Sequence, residues 1–224
     1  MRGYGQYCPI ALAAEVFAER WTPIIIRNLY LGCGHFNEIL DGAPGLPRSV
    51  LSQRLRSLER AGVVRRDQAG RATAYALSPS GRELAEVCLK LGAWGARWRS
   101  VRPEDQDPYL ALWTLSKMIR IDPSSRTRIV VVFRITGRPA PNRFWLVVST
   151  SGNEVCAQAP GFAEDGHVTT DTATLIRWYS GEVTLAAAQR SGGMSVEAPR
   201  RVVRHLAAWG RLNPYLGVAR PDPV

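Results

Sequence analysis

The chain has 224 residues, 46% of them hydrophobic, and a formal net charge of +10. The length allows one large domain or two of ordinary size, and the composition excludes a disordered chain. The positive charge favours an anionic partner, while no apolar stretch approaches the ~20 residues of a membrane span.

In chain order, residues 9–19 carry Ile10, Ala13, Ala14 and Phe17 at helical spacing. Residues 21–31 (WTPIIIRNLYL) read as a second, core helix, with Thr22 as N-cap and Pro23 in its first turn. Residues 36–40 form a short helix and 42–45 a turn. Residues 48–61 form an amphipathic helix stopped at Gly62. Residues 63–67 and 73–77 read as strands around a turn containing Gly70, and 80–98 as a long helix capped by Ser78 or Ser80. Helix, turn, helix and a two-stranded basic hairpin are the plan of a winged helix-turn-helix, whose second helix fits the DNA major groove.

Charge is concentrated in that unit. Residues 48–71 hold seven Arg against Glu59 and Asp67, a net of +5 in 24 residues. At about 100° per residue, Leu51, Leu55 and Leu58 form one stripe that must face the core. Ser49, Ser52, Gln53, Arg56 and Arg60 fall on the opposite half, with Arg48 at the start of the helix. Arg can contact guanine in bidentate fashion, Gln adenine, and Ser phosphate or base. Arg54 lies beside the leucines and is expected to pair with a carboxylate or reach a phosphate rather than read bases. Arg65, Arg66 and Arg71 on the hairpin are expected to meet an adjacent groove or the phosphates.

Several ordered motifs carry a resemblance: Cys8-Pro9, Arg20 to Arg27 (RWTPIIIR), Gly32, His35 to Ile39 (HFNEI), Leu51 to Leu55 (LSQRL), Leu58-Glu59, Gly62 to Val64 and Tyr75 to Ser78. Over about residues 4–98 the chain resembles the HxlR family of MarR-like transcriptional regulators. The resemblance implies a homodimer held by the first and last helices, here through apolar faces that include Leu84, Val87, Leu91 and Trp94. It also implies double-stranded DNA with a pseudo-palindromic operator as partner. One departure is the Pro47-Arg48-Ser49 start of the reading helix. Some members sense oxidants at the position matching Cys8, which makes Cys8 the candidate redox sensor; such a thiol needs exposure and a lowered pKa.

Residues 101–108 (VRPEDQDP) read as a linker. This gives a DNA-binding and dimerisation domain at 1–100 and a second domain at 109–224. In the latter, 108–121 is helical; 128–136, 143–149, 154–158, 167–170 and 194–197 are strands; and 172–180, 182–190 and 199–212 are helices. That sequence suggests an α+β domain with an antiparallel sheet. From His167 onward it resembles the sterol-carrier-protein-type-2 fold, with Gly181, Ala186 to Ala188, Gly193 and Val196 at the matching places. The resemblance implies a tunnel for a small hydrophobic ligand, with Phe133, Trp145, Trp178 and Tyr179 near it; a dimerisation platform without ligand is the alternative. The strand residues Ile129, Val131, Phe133 and Ile135 alternate to one face.

The two histidines of this domain, His167 and His205, lack motif context, and neither a phosphate loop, a paired carboxylate signature nor GxSxG occurs, so no enzyme is expected. The four cysteines (8, 33, 88 and 156) show no CxxC and no Cys/His cluster, so neither metal nor cofactor is expected. With no apolar run in residues 1–9, the expectation is a cytoplasmic protein with reduced thiols. The reading as a whole is an α+β, homodimeric, ligand-responsive regulator of transcription. Its rival is a carrier of lipid or a small hydrophobic ligand, whose basic domain contacts a membrane or a protein.

Overall fold

The computed structural model describes residues 3–69, 72–121, 128–216 and 218. The chain divides into two compact units, Met1–Trp94 and Gly95–Val224. This division falls inside a helix, ahead of the polar stretch at 101–108. That stretch holds a 3-10 turn, Pro103–Asp105, with the Arg102 guanidinium donating to Asp105.

The first unit runs α1 (Pro9–Phe17), α2 (Thr22–Tyr30), α3 (Phe36–Asp41), α4 (Arg48–Arg60), β1 (Val64–Ala69), β2 (Ala72–Leu77) and α5 (Pro79–Trp98). Its core gathers Ile25 and Ile26 of α2, Ile39 of α3 and the Leu51, Leu55, Leu58 stripe of α4, all buried. Burying each such side chain contributes about 1.5–3 kcal/mol. Thr22 corrects the expected start of α2. It is buried in the first helical turn, while the capping position belongs to Trp21, in the left-handed region at φ +77° with no side-chain cap bond. Packing of Thr22 into the core overrides its preference for a cap.

The end of α4 follows from Gly62, at φ +72°. The Val63 amide donates to the Leu58 carbonyl and the Gly62 amide to that of Glu59, which closes the last turn and aims the chain into β1. β1 and β2 pair antiparallel, from Val64 opposite Leu77 to Ala69 opposite Ala72. Ser78, not Ser80, caps α5: its Oγ accepts from the Gly81 amide and donates to the Gly62 carbonyl at 2.6 Å. Gly81 is required there, since a Cβ would collide with the Val63 carbonyl.

The second unit contributes α6 (Pro108–Met118), β3 (Ile129–Thr136), β4 (Arg143–Ser149), β5 (Gly152–Cys156), β6 (Gly166–Asp171), α7 (Thr172–Tyr179), α8 (Leu185–Arg190), β7 (Met194–Glu197) and α9 (Arg200–Trp209). The five strands lie in the order β5-β4-β3-β6-β7. β3 and β6 run parallel, so the sheet is mixed rather than antiparallel. The cause is the 157–165 connection, which carries the chain from the edge strand β5 past β4 to the far side of β3; a parallel pair needs such a crossover. Asp165 fastens its end, with its amide donating to the Val130 carbonyl and its carboxylate accepting from the Val130 amide.

Ile129, Val131, Phe133 and Ile135 face a core shared with α6, α7, α8 and α9, as their alternation predicts. α7 is capped by Asp171 and α8 by Thr184, each accepting from a backbone amide three residues on. Burial alone would raise the Asp171 carboxyl. Hydrogen bonds from the Thr174 amide and hydroxyl outweigh it and hold the group below the ordinary carboxylate value.

Candidate nucleic-acid interface

The candidate interface is built on α4. With its leucines turned inward, Ser49, Gln53, Arg56 and Arg60 are exposed and Ser52 is half-buried, so these five share the outward half of the helix. Arg54 does not join them. Its guanidinium meets Glu19 at 2.6 Å, and its Nε is buried without a hydrogen-bond partner, which makes it a brace to the end of α1. Arg48 is partly diverted as well. Its guanidinium lies over the Phe36 ring, 5.0 Å from the centroid, and donates to Asn37 Oδ1 at 3.2 Å. It therefore joins α4 to α3 at the start of α4.

α3 is held against α2 by polar contacts that periodicity does not reveal. Asn28 is fully buried and donates through Nδ2 to the Ile39 carbonyl at 2.8 Å. Its Oδ1 accepts from Arg27, whose Nη2 also reaches the Gly42 carbonyl. The one available signal was an Arg-Asn pair inside an otherwise apolar helix. On the other side, the Tyr75 amide donates to the Gly34 carbonyl, and His35 bridges Ala74, which anchors the hairpin to the start of α3.

The hairpin presents Arg65 and Arg66, both exposed, on neighbouring positions of β1. Arg71, the third expected wing residue, lies outside the described residues. A polar helix face beside a basic hairpin offers groove-reading and phosphate-contacting groups on one scaffold.

Cys8 is exposed at the N-cap of α1. Cys33 is buried, and burial pushes the Cys88 thiol up to about 11. Cys156 is also raised, by burial first and then by the charge of Glu154.

Of the four residues expected near a ligand, three belong to one core and Trp145 lies apart from them. Phe133 and Trp178 meet in the core, with ring centroids 6.2 Å apart, and Tyr179 packs partly buried against the same core. Trp145 sits opposite Val132 in the β3–β4 ladder, hence on the other face of the sheet from Phe133. There its Nε1 donates to Glu164 at 2.7 Å. Alternation within one strand is visible in sequence; the register between two strands is not. Among the described residues no cluster of three or more His, Cys, Asp or Glu is placed to hold a metal ion. None of the described helices is long and apolar enough to cross a membrane.

Helix, turn, reading helix and hairpin together define a winged helix-turn-helix protein. A profile of the HxlR-like helix-turn-helix family matches residues 16–103. The chain is 33% identical over 97 residues to the HTH-type transcriptional regulator YvaP of Bacillus subtilis, covering 42% of this chain and 90% of that protein. It is 30% identical over 97 residues to the HTH-type transcriptional regulator sll1512 of Synechocystis sp., covering 42% of this chain and 72% of that one. Among solved structures, the oxidised form of the redox regulator HypR aligns at 29% identity and a TM-score of 0.40, over 42% of this chain and 100% of that one. The chain belongs to the HxlR-like helix-turn-helix family of DNA-binding transcriptional regulators.

Proposed function

We propose that this protein regulates transcription as a homodimer, reading a pseudo-palindromic duplex site with α4 and bracing on phosphates with the hairpin. The observation that carries the reading is the division of labour on α4. Leucines and Arg54 are committed to the fold, while Ser49, Ser52, Gln53, Arg56 and Arg60 are left outward. Dimerisation is supported by apolar surface that the first unit leaves uncovered: Ile10 of α1 is 79% exposed, and Val87, Leu91 and Trp94 of α5 are 48, 47 and 55% exposed. The last three recur at i, i+4 and i+7, the spacing of a helix–helix seam.

The test is binding to a duplex selected from a randomised library, followed by fluorescence anisotropy. Arg56→Ala and Gln53→Ala are expected to lose discrimination between the selected and a random duplex, by about 1–3 kcal/mol each. Arg65→Ala is expected to weaken both equally and reduce the salt slope by about one. If Arg56→Ala binds both duplexes as the wild type does, α4 is not the reading helix.

Response to a small hydrophobic ligand through the second unit belongs to the same reading. In its support, the Trp178 indole N–H is buried without an acceptor, a deficit of about 1–3 kcal/mol that a ligand oxygen would relieve. A thermal-shift screen of apolar metabolites bearing a hydroxyl or carbonyl tests it; stabilisation that Trp178→Phe abolishes is the expected result. Response to oxidants through Cys8, exposed at its helix start, is tested by whether diamide alters DNA binding in the wild type but not in Cys8→Ser.

A further inference from the structure

The winged helix does not account for the whole charge of the molecule. Residues 107–224 carry 14 basic and 9 acidic residues, an excess of five that equals the excess in residues 1–106. Much of it gathers at one place. From Pro199 to Arg211 the chain reads PRRVVRHLAAWGR, four Arg and no acidic residue.

α9 sorts these residues by face. Val202, Leu206 and Trp209 are buried in the core, with Val203 beside them. Arg201 is tied to Asp165 at 2.7 Å. Arg200 and Arg204 are exposed at i and i+4, with Ala207 following on the same side. The turn after the helix brings exposed Arg211 one step further, its amide donating to the Ala208 carbonyl. None of these three Arg side chains forms an ion pair among the described residues. At a rise of ~1.5 Å per residue α9 runs roughly 14 Å from Arg200 to Trp209, with Arg211 in the turn beyond, and each strand of B-DNA places a phosphate every ~3.4 Å of axis, so the helix spans roughly four steps.

We propose that this stripe, Arg200, Arg204 and Arg211, is a second phosphate-contacting surface for duplex DNA, so that the C-terminal unit adds sequence-independent affinity to the reading done by α4. The proposal rests on the DNA-binding reading of the first unit. A basic amphipathic helix can also lie on a lipid surface, but it does so by burying its apolar face in the acyl boundary. In α9 that face is already spent on the core. What remains outward along α9 is charge, with Ala207, Ala208 and His205, the last stacked on Trp209, which suits a rigid polyanion that needs no apolar insertion.

The experiment uses the full chain, a fluorescent 40-base-pair random duplex and a salt titration of anisotropy. Arg200→Gln, Arg204→Gln and Arg211→Gln combined are expected to reduce the slope of log K against log salt by about 2.7, at 0.9 per phosphate contact. The ratio of affinities for a library-selected and a random duplex is expected to stay unchanged, because phosphate contacts carry no sequence information. Lys at all three positions is expected to restore the slope, which separates lost charge from lost helix. An unchanged slope in the Gln variant, with DNA binding by the wild type intact, overturns the proposal and leaves α4's role standing. Absence of duplex binding by the wild type overturns both. Loss of binding to phosphatidylserine-containing vesicles with an unaltered DNA slope overturns the proposal in favour of a lipid surface.

Discussion

The two units solve the problem of apolar surface differently. The C-terminal unit lays one face of a five-stranded sheet, with Val131, Phe133 and Leu146, against four helices. The N-terminal unit is smaller, and it leaves Ile10, Val87, Leu91 and Trp94 uncovered. Part of its cohesion comes instead from polar links, Asn28 to the Ile39 carbonyl, Ser78 to the Gly62 carbonyl and Arg54 to Glu19. The first unit thus carries exposed apolar side chains outside and polar braces inside. The second unit buries the larger part of its strand and helix hydrophobics in one core and carries Arg200, Arg204 and Arg211 outward.

The strongest way to separate the two units is to open one core. Phe133→Ala is expected to cost about 3–5 kcal/mol. It should lower the unfolding transition of the second unit in urea while the first unit's transition holds; a single shifted transition would show that the units fold as one. Next in size, Leu91→Asp is expected to weaken self-association by about 2 kcal/mol or more, roughly 30-fold, with little change in the stability of the monomer. Sedimentation equilibrium reads the first quantity and urea unfolding at low protein concentration the second. A variant that dimerises as before moves the interface elsewhere.

Glu19→Gln sharpens the contrast from the polar side. It leaves the Arg54 guanidinium half-buried without its partner, and a loss of about 1–2 kcal/mol is expected in the first unit, after discounting for solvent screening. Asp171→Ala, in the second unit, removes a helix cap and is expected to cost about 1 kcal/mol. Because the folded carboxyl lies below its unfolded value, its contribution is present above about pH 4 and fades as the pH falls through the folded value. Asp171→Asn should keep most of the cap and lose that acid dependence, measured as urea midpoints between pH 2 and 6. The smallest effect is chemical. At pH 7.5 iodoacetamide should label exposed Cys8 well before Cys88, whose thiol stays protonated up to about pH 11.

Much of the first unit was legible in its sequence because its information is local. The Leu51, Leu55, Leu58 spacing names the buried side of α4 and so, by exclusion, its outward side. Gly62 ends that helix where a left-handed residue is needed. The fate of individual arginines was less visible. Arg54 was set aside by its angle alone, but its partner Glu19 lies 35 positions away, and the diversion of Arg48 over Phe36 depends on how α3 meets α4.

In the second unit the strands themselves could be read from β-branched runs, and α9's inner face from Val202, Leu206 and Trp209. Which strands pair, and in which direction, could not. The identity of the elements, the buried stripe of α4 and the family of the chain can all be read from residue order alone. These follow from periodicity and from residue types at short spacing. That β6 runs parallel to β3, that Trp145 and Phe133 lie on opposite faces, and that Asn28 locks α3 emerge from the folded arrangement. Each of these is a relation between segments far apart in the chain. Such relations are set by register and packing, which no periodicity within a single segment encodes.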